Sequence, residues 1–366
     1  MELKPRKLVL ADGTEFYGEG FGAQDVEAVG EVVFNTSMAG YQEVVSDPSY
    51  TDQIIVMTYP LIGNYGITDE DFESRYIGPK GYVVREYNDN PSNFRYTQTL
   101  SELLEENHVP GIQGVDTRKL TRIIRDKGSM TAILCDAEVP LEDALNKIKA
   151  YVEPTDQVKK VTSSKRYYSR TPNHKYTVVA VDCGIKGQMV KHLNANGCNV
   201  TLVPFNATAD EIIKLAPDGV FFSNGPGNPE NVKETIQLVK DLKGKYPMMG
   251  VCLGHQIISL AYGAKTYKLK FGHRGGNHPV ECLETNRVEI TSQNHSYAVD
   301  EKSLEGTGLH VTHKNLLDNT VEGVANEDGS VFSVQFHPES APGPCDSEHL
   351  FGQFIENMEK WRSKNA

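Results

Sequence analysis

The chain has 366 residues, room for about two domains at roughly 150 residues each, and its 39% hydrophobic and 23% charged content is that of a globular protein with real cores. Its 37 basic and 49 acidic side chains leave a net charge of −12, which argues against bulk electrostatic binding of nucleic acid or of an anionic membrane surface. No apolar run approaches the roughly 18 residues of a membrane span, and the six cysteines form no C-x-x-C pair, so a reduced, cytoplasmic protein without a zinc ribbon is expected.

In chain order, strand-like runs come first, at 7–10, 31–34, 53–58 and 81–84. Helical periodicity follows at 99–106, 116–127 and 141–151, with Asp116 as an N-cap and Gly128 as a stop. These elements predict a smaller, mixed α/β N-terminal domain over 1–152. Residues 153–175 are polar and locally basic and read as a solvated linker, or as a linker that also touches an acidic partner surface. From 176 the pattern becomes regular. Strands at 176–181, 198–204, 218–223 and 248–252 alternate with helices at 185–195, 209–215, 231–242 and 255–262. Alternation at this spacing predicts an α/β domain over 176–366 with a doubly wound, mostly parallel sheet. An antiparallel excursion over 264–334, a strand at 330–336 and a closing helix at 346–361 complete it.

Three motifs fall on the C-terminal edge expected of that sheet. Gly250-Val251-Cys252-Leu253-Gly254, where the fourth strand meets its helix, has the form of a nucleophile elbow with cysteine in place of serine. The helix N-terminus that follows favours thiolate, and the Leu253 N–H is a candidate oxyanion donor. A buried structural cysteine at a glycine-rich strand end would give the same pentapeptide. Phe336-His337-Pro338-Glu339, after a later strand, supplies a base and a carboxylate to orient it. Ser223-Asn224-Gly225-Pro226-Gly227 closes the third strand. It is either an ordinary Gly-Pro turn or a loop whose backbone N–H groups approach an oxyanion. Neither a dinucleotide fingerprint nor a phosphate-binding P-loop is present there.

Together, over roughly 176–362, the three motifs resemble class I, triad-type glutamine amidotransferases, which implies a flavodoxin-like fold. Segments of the first half, and one of the second, narrow the resemblance. The segments Gly30-Glu31-Val32-Val33-Phe34-Asn35-Thr36-Ser37-Met38-Ala39-Gly40-Tyr41-Gln42-Glu43, Gly114-Val115-Asp116-Thr117-Arg118 and Lys270-Phe271-Gly272-His273-Arg274-Gly275-Gly276-Asn277-His278-Pro279 closely resemble the glutaminase subunits of carbamoyl-phosphate synthetases.

That resemblance implies Cys252 as nucleophile, His337 as base and Glu339 as its orienting partner, with Gly225 and Leu253 donating to the oxyanion. Gly225, Gly227, Leu253, Gln256, Asn294, Ser296 and Tyr297 fall on glutamine-holding positions. Ser37 matches a hydroxyl that reaches the same pocket from the first domain. No metal and no cofactor are implied in this chain. L-glutamine is the implied substrate. The implied partner is a large synthetase subunit that uses MgATP and bicarbonate, with the first domain as a docking and pocket-completing module. Two rivals remain: a free-standing cysteine hydrolase of γ-glutamyl amides, and a catalytically impaired regulatory subunit. The sequence departs from the family at Ser296, where glycine is usual, and at Asn228-Pro229, where Asp-Pro is common. His174, His192, His273 and His278 acquire no role.

Overall fold

The computed structural model describes residues 3–365 and divides into two compact units, Met1–Pro154 and Thr155–Ala366. In the first, seven strands close a barrel in the order Pro5–Leu10, Glu15–Gly22, Pro110–Gln113, Gly81–Val83, Gln53–Met57, Ala28–Asn35 and Met130–Asp136. Closure leaves no unpaired sheet edge. Val33, Ile55 and Tyr82 pack against Leu100, Leu103 and Leu104 of the helix Leu100–Glu106. The helix Thr117–Lys127 begins on Asp116, whose carboxylate accepts the Lys119 N–H, and ends at Gly128.

The second unit is built on a ten-stranded sheet. Its five central strands run parallel, in the order Cys198–Pro204, Tyr176–Asp182, Gly219–Phe222, Met248–Val251 and Val331–Val334. Numbered along the chain this is 2-1-3-4-5, the flavodoxin-like order, in which ligands bind beyond the carboxyl ends of the strands. Side chains alternate across the sheet, so Val178 and Ala180 enter one core while Val179 and Val181 enter the other. The first core is covered by the helices Gly187–Ala195 and His349–Asn365, through Met189, Leu193, Phe351 and Phe354. The second is covered by Ile212, Leu238, Val239, Ile257 and Ile258. Each such side chain fully buried stabilises the sheet sandwich by about 1.5–3 kcal/mol. Beyond Val331–Val334 the sheet continues antiparallel through Val321–Asn326, Arg287–Val299, Thr266–Cys282 and Leu309–Asn315.

From Thr155 on, the segment expected to be a solvated linker folds as part of this second unit. It carries the short helix Gln157–Val161, whose Val158 joins the core, and the strand Tyr167–Ser169, paired antiparallel to Cys198–Pro204. Its charge is on the surface, but three apolar or amide side chains of the helix (Gln157, Val158 and Val161) are buried. Among the described residues, no helix is long and apolar enough to cross a membrane.

Candidate active site

The strand Met248–Val251 runs into the helix Leu253–Ala261 with one residue, Cys252, between them. That residue has φ 54° and ψ −105°, a conformation that L side chains rarely adopt. The turn is held from both sides: the Cys252 N–H donates to the Val334 carbonyl at 2.8 Å, and its carbonyl accepts the Gln256 N–H at 3.2 Å. Crowding explains the flanking glycine. A Cβ on Gly254 would sit 2.1 Å from the Phe222 carbonyl oxygen. The thiol is 2% exposed, with the Asn294 carbonyl oxygen 3.6 Å and the Gln335 side-chain amide 3.7 Å from its sulfur.

His337 lies beyond the neighbouring parallel strand, Val331–Val334, and is fixed by its N–H donating to the Ser292 carbonyl at 2.8 Å. Its Nδ1 bonds the Glu339 carboxylate at 2.8 Å. Lys186 Nζ reaches the same carboxylate oxygen at 2.7 Å and also donates to the Ala341 carbonyl. All three side chains are buried. Burial alone would lower the affinity of His337 for a proton. Glu339 and the nearby Cys252 outweigh it and raise that affinity well above the ordinary imidazole range. Burial would likewise raise the Glu339 carboxyl, but Lys186 and His337 hold it well below the usual carboxylate range. The outcome is a carboxylate kept ionised by lysine and a ring tautomer kept by carboxylate.

Gly225 follows the strand Gly219–Phe222 on the same edge, and a Cβ there would meet the Cys183 carbonyl oxygen at 2.2 Å and Leu253 Cδ2 at 2.8 Å. Gly227 has a positive φ of 85°, and Gln157 Oε1 lies 2.4 Å from where its Cβ would be. Gln256 is buried, with its amide donating to the Tyr297 carbonyl at 2.7 Å and to Gln335 Oε1 at 2.8 Å. Asn294, Ser296 and Tyr297 lie on the strand Arg287–Val299. Ser296 does not take a positive φ, so the backbone accommodates it where glycine is usual, and its hydroxyl accepts from the Arg274 guanidinium at 2.5 Å. Asn228 still works as a cap, accepting the Glu230 N–H at 3.0 Å. Ser37 lies in the first unit, just after Ala28–Asn35, where its N–H donates to Asn35 Oδ1 at 2.7 Å.

Two residues of this cluster went unread in the sequence. Lys186 follows the first parallel strand and therefore shares the edge with Cys252 and His337, a position that topology could have flagged. Gln335 carries only the weaker signal of standing two residues before His337.

The remaining cysteines do not compete in the same way. Burial pushes the Cys183 and Cys198 thiols up to about 12. Cys282, on the strand Thr266–Cys282, is brought down to about 6, chiefly by a hydrogen bond from His313.

Comparison with known proteins gives a consistent picture. Residues 8–134 match the family model of the carbamoyl-phosphate synthase small chain CPSase domain, and residues 179–357 match that of class I glutamine amidotransferases. The chain is 50% identical to the carbamoyl phosphate synthase small chain of Listeria innocua over 353 residues, 96% of each chain. It is 52% identical to that of Fusobacterium nucleatum, covering 97% of this chain and 98% of the other. It is 50% identical to the pyrimidine-specific small chain of Halalkalibacterium halodurans, covering 97% of both.

Proposed function

The chain belongs to the carbamoyl-phosphate synthase small-chain family, and from that membership we propose how its own residues carry out glutamine hydrolysis. It is the glutaminase subunit of a glutamine-hydrolysing ligase, and it feeds ammonia to a large subunit. Cys252 sulfur attacks the side-chain carbonyl carbon of glutamine, and the oxygen becomes an oxyanion. The N–H groups of Leu253 and Gly225 stabilise it. The carbon–nitrogen bond breaks as His337 passes the former thiol proton to the leaving nitrogen, which departs as ammonia. A γ-glutamyl thioester remains on Cys252. Water then loses a proton to His337 and attacks the thioester, the carbon–sulfur bond breaks, and glutamate leaves. Glu339 keeps the ring oriented throughout, and Lys186 keeps Glu339 ionised.

Gly227, Gln256, Asn294, Ser296 and Tyr297 hold the substrate. From the family membership we assign the use of MgATP and bicarbonate to the large subunit.

The observation that carries this reading is the convergence of Cys252, His337 and Glu339 at the ends of two adjacent parallel strands. Cys252→Ala should lower glutamine-dependent carbamoyl phosphate formation by at least about 10³-fold while ammonia-dependent formation by the complex persists. Glutamine-dependent turnover surviving in that variant would refute the nucleophile assignment.

A further inference from the structure

His273, His295 and Glu322 come from three strands of the antiparallel part of the sheet: Thr266–Cys282, Arg287–Val299 and Val321–Asn326. One side-chain nitrogen or oxygen from each lies within 4.8 Å of the other two, and all three residues are buried. None has a part in the hydrolysis described above. The two histidines are unsatisfied at the same place. His273 Nδ1 and His295 Nε2 are buried and make no hydrogen bond. His273 Nδ1 lies 3.4 Å from Glu322 Oε1, an ion-pair distance without a well-directed bond.

The far side of each ring is fully committed. His273 Nε2 bonds the Asp318 carboxylate at 2.9 Å, and His295 Nδ1 bonds the Tyr297 carbonyl at 2.7 Å. A carbonyl accepts only from N–H, so His295 presents a bare lone pair at Nε2. Glu322 is 0% exposed and is oriented by Asn315 Nδ2 at 3.0 Å and Gln293 Nε2 at 3.0 Å. Histidines whose outer nitrogens are tied to a carboxylate and a carbonyl, around a hydrogen-bonded ligand carboxylate, are the usual surroundings of a bound transition metal. Two imidazoles and one carboxylate suit zinc, with a position left for water.

We propose that His273, His295 and Glu322 bind a zinc ion. The ion ties together three strands, one of which carries the Asn294 carbonyl beside the Cys252 sulfur. It acts as a clamp on that strand and takes no part in the chemistry. The sequence hides such a site because its ligands are spread over about fifty residues and form no compact motif.

The test uses the full chain, stripped with a chelator, dialysed against zinc in a weak competing chelator and assayed for metal per chain. One equivalent is expected. His273→Gln and Glu322→Gln should each weaken retention by more than tenfold, and Asp318→Asn, which touches no metal, by about 10–100-fold. Cys282→Ser should retain zinc in full. Circular dichroism establishes that each variant is folded. If either ligand variant fails to fold, Asp318→Asn and the cobalt(II) spectrum of the unmodified chain decide. Cobalt should show four-coordinate ligand-field bands without a sulfur-to-cobalt charge-transfer band. Substoichiometric zinc, a thiolate band, or full retention in folded His273→Gln or Glu322→Gln would overturn the proposal. The cluster would then be an imidazolium held between two carboxylates.

Discussion

At the scale of single residues, three buried charges decide the chemistry. Lys186, Glu339 and His337 form a line in which Lys186 and His337 hold the Glu339 carboxyl ionised and Glu339 in turn raises the proton affinity of His337. His337 has a raised proton affinity in the fold. Its contribution to stability is therefore complete below about 6.5, the value of the free ring, and is lost as pH rises through the higher folded value. Glu339→Gln removes the carboxylate largely responsible, leaving burial to push the ring down. The variant should lose less stability than the parent between about pH 6 and about pH 9. It should also be less stable at the lower pH, by about 3–5 kcal/mol, because the buried Lys186 loses the Glu339 carboxylate. Glutamine turnover should fall by about 10²–10⁴-fold through loss of the ring's orientation. Urea unfolding at the two pH values and single-turnover glutamate release measure all three. An unchanged pH slope would show that Glu339 does not govern the His337 proton.

At the scale of elements, the elbow stores strain. A cysteine at φ 54° and ψ −105° is held there by the strand Met248–Val251, the helix Leu253–Ala261 and the bond to Val334. Cys252→Ala keeps the strain and Cys252→Gly relieves it, offset in part by the greater freedom of glycine in the unfolded chain. The glycine variant should be the more stable of the two by about 1 kcal/mol in denaturant titrations. An alanine variant equal to or more stable than the glycine one would mean an unstrained turn. The elbow was legible in the sequence because its glycines are required by backbone contacts, which leave a fixed spacing. So were the parallel strands, which are buried on both faces and read as apolar runs. The barrel was less legible. Glu15–Gly22 contains Gly18, Gly20 and Gly22, which weaken a strand signal. Yet a Cβ on Gly18 would lie 2.0 Å from the Gln113 carbonyl, so barrel closure itself calls for glycine there. The misread linker has a similar cause: Gln157 and Val158 are fixed by contacts distant in sequence, with Gly227 and the second core. Lys186 was missed because a lysine after a strand gains meaning only once the order of the strands is known.

At the scale of the whole molecule, the reactive groups are present but closed off. Cys252 and His337 are each 2% exposed and Glu339 is 3% exposed, so burial restricts the approach of a glutamine side chain to the sulfur. A nucleophile available only in a minor open state turns over in proportion to that state's population. Anything that binds the open state better raises the rate by its differential affinity, and the large subunit of this family's enzymes is the natural source of that free energy. The chain alone should therefore release glutamate slowly, and adding the large subunit with MgATP and bicarbonate should raise the rate at least about tenfold, the effect of about 1.4 kcal/mol of differential binding. Alkylation gives an independent reading of the same opening. Iodoacetamide should modify Cys282, with its lowered pKa of about 6, before Cys252 in the isolated chain. The large subunit should then speed modification of Cys252 in parallel with glutamate release. Fast glutamate release by the chain alone, unchanged by the large subunit, would mean that the open state is already dominant. The activity would then be that of an independent hydrolase. A partner-driven rise in glutamate release without faster alkylation of Cys252 would place the partner's effect on the chemistry and not on access.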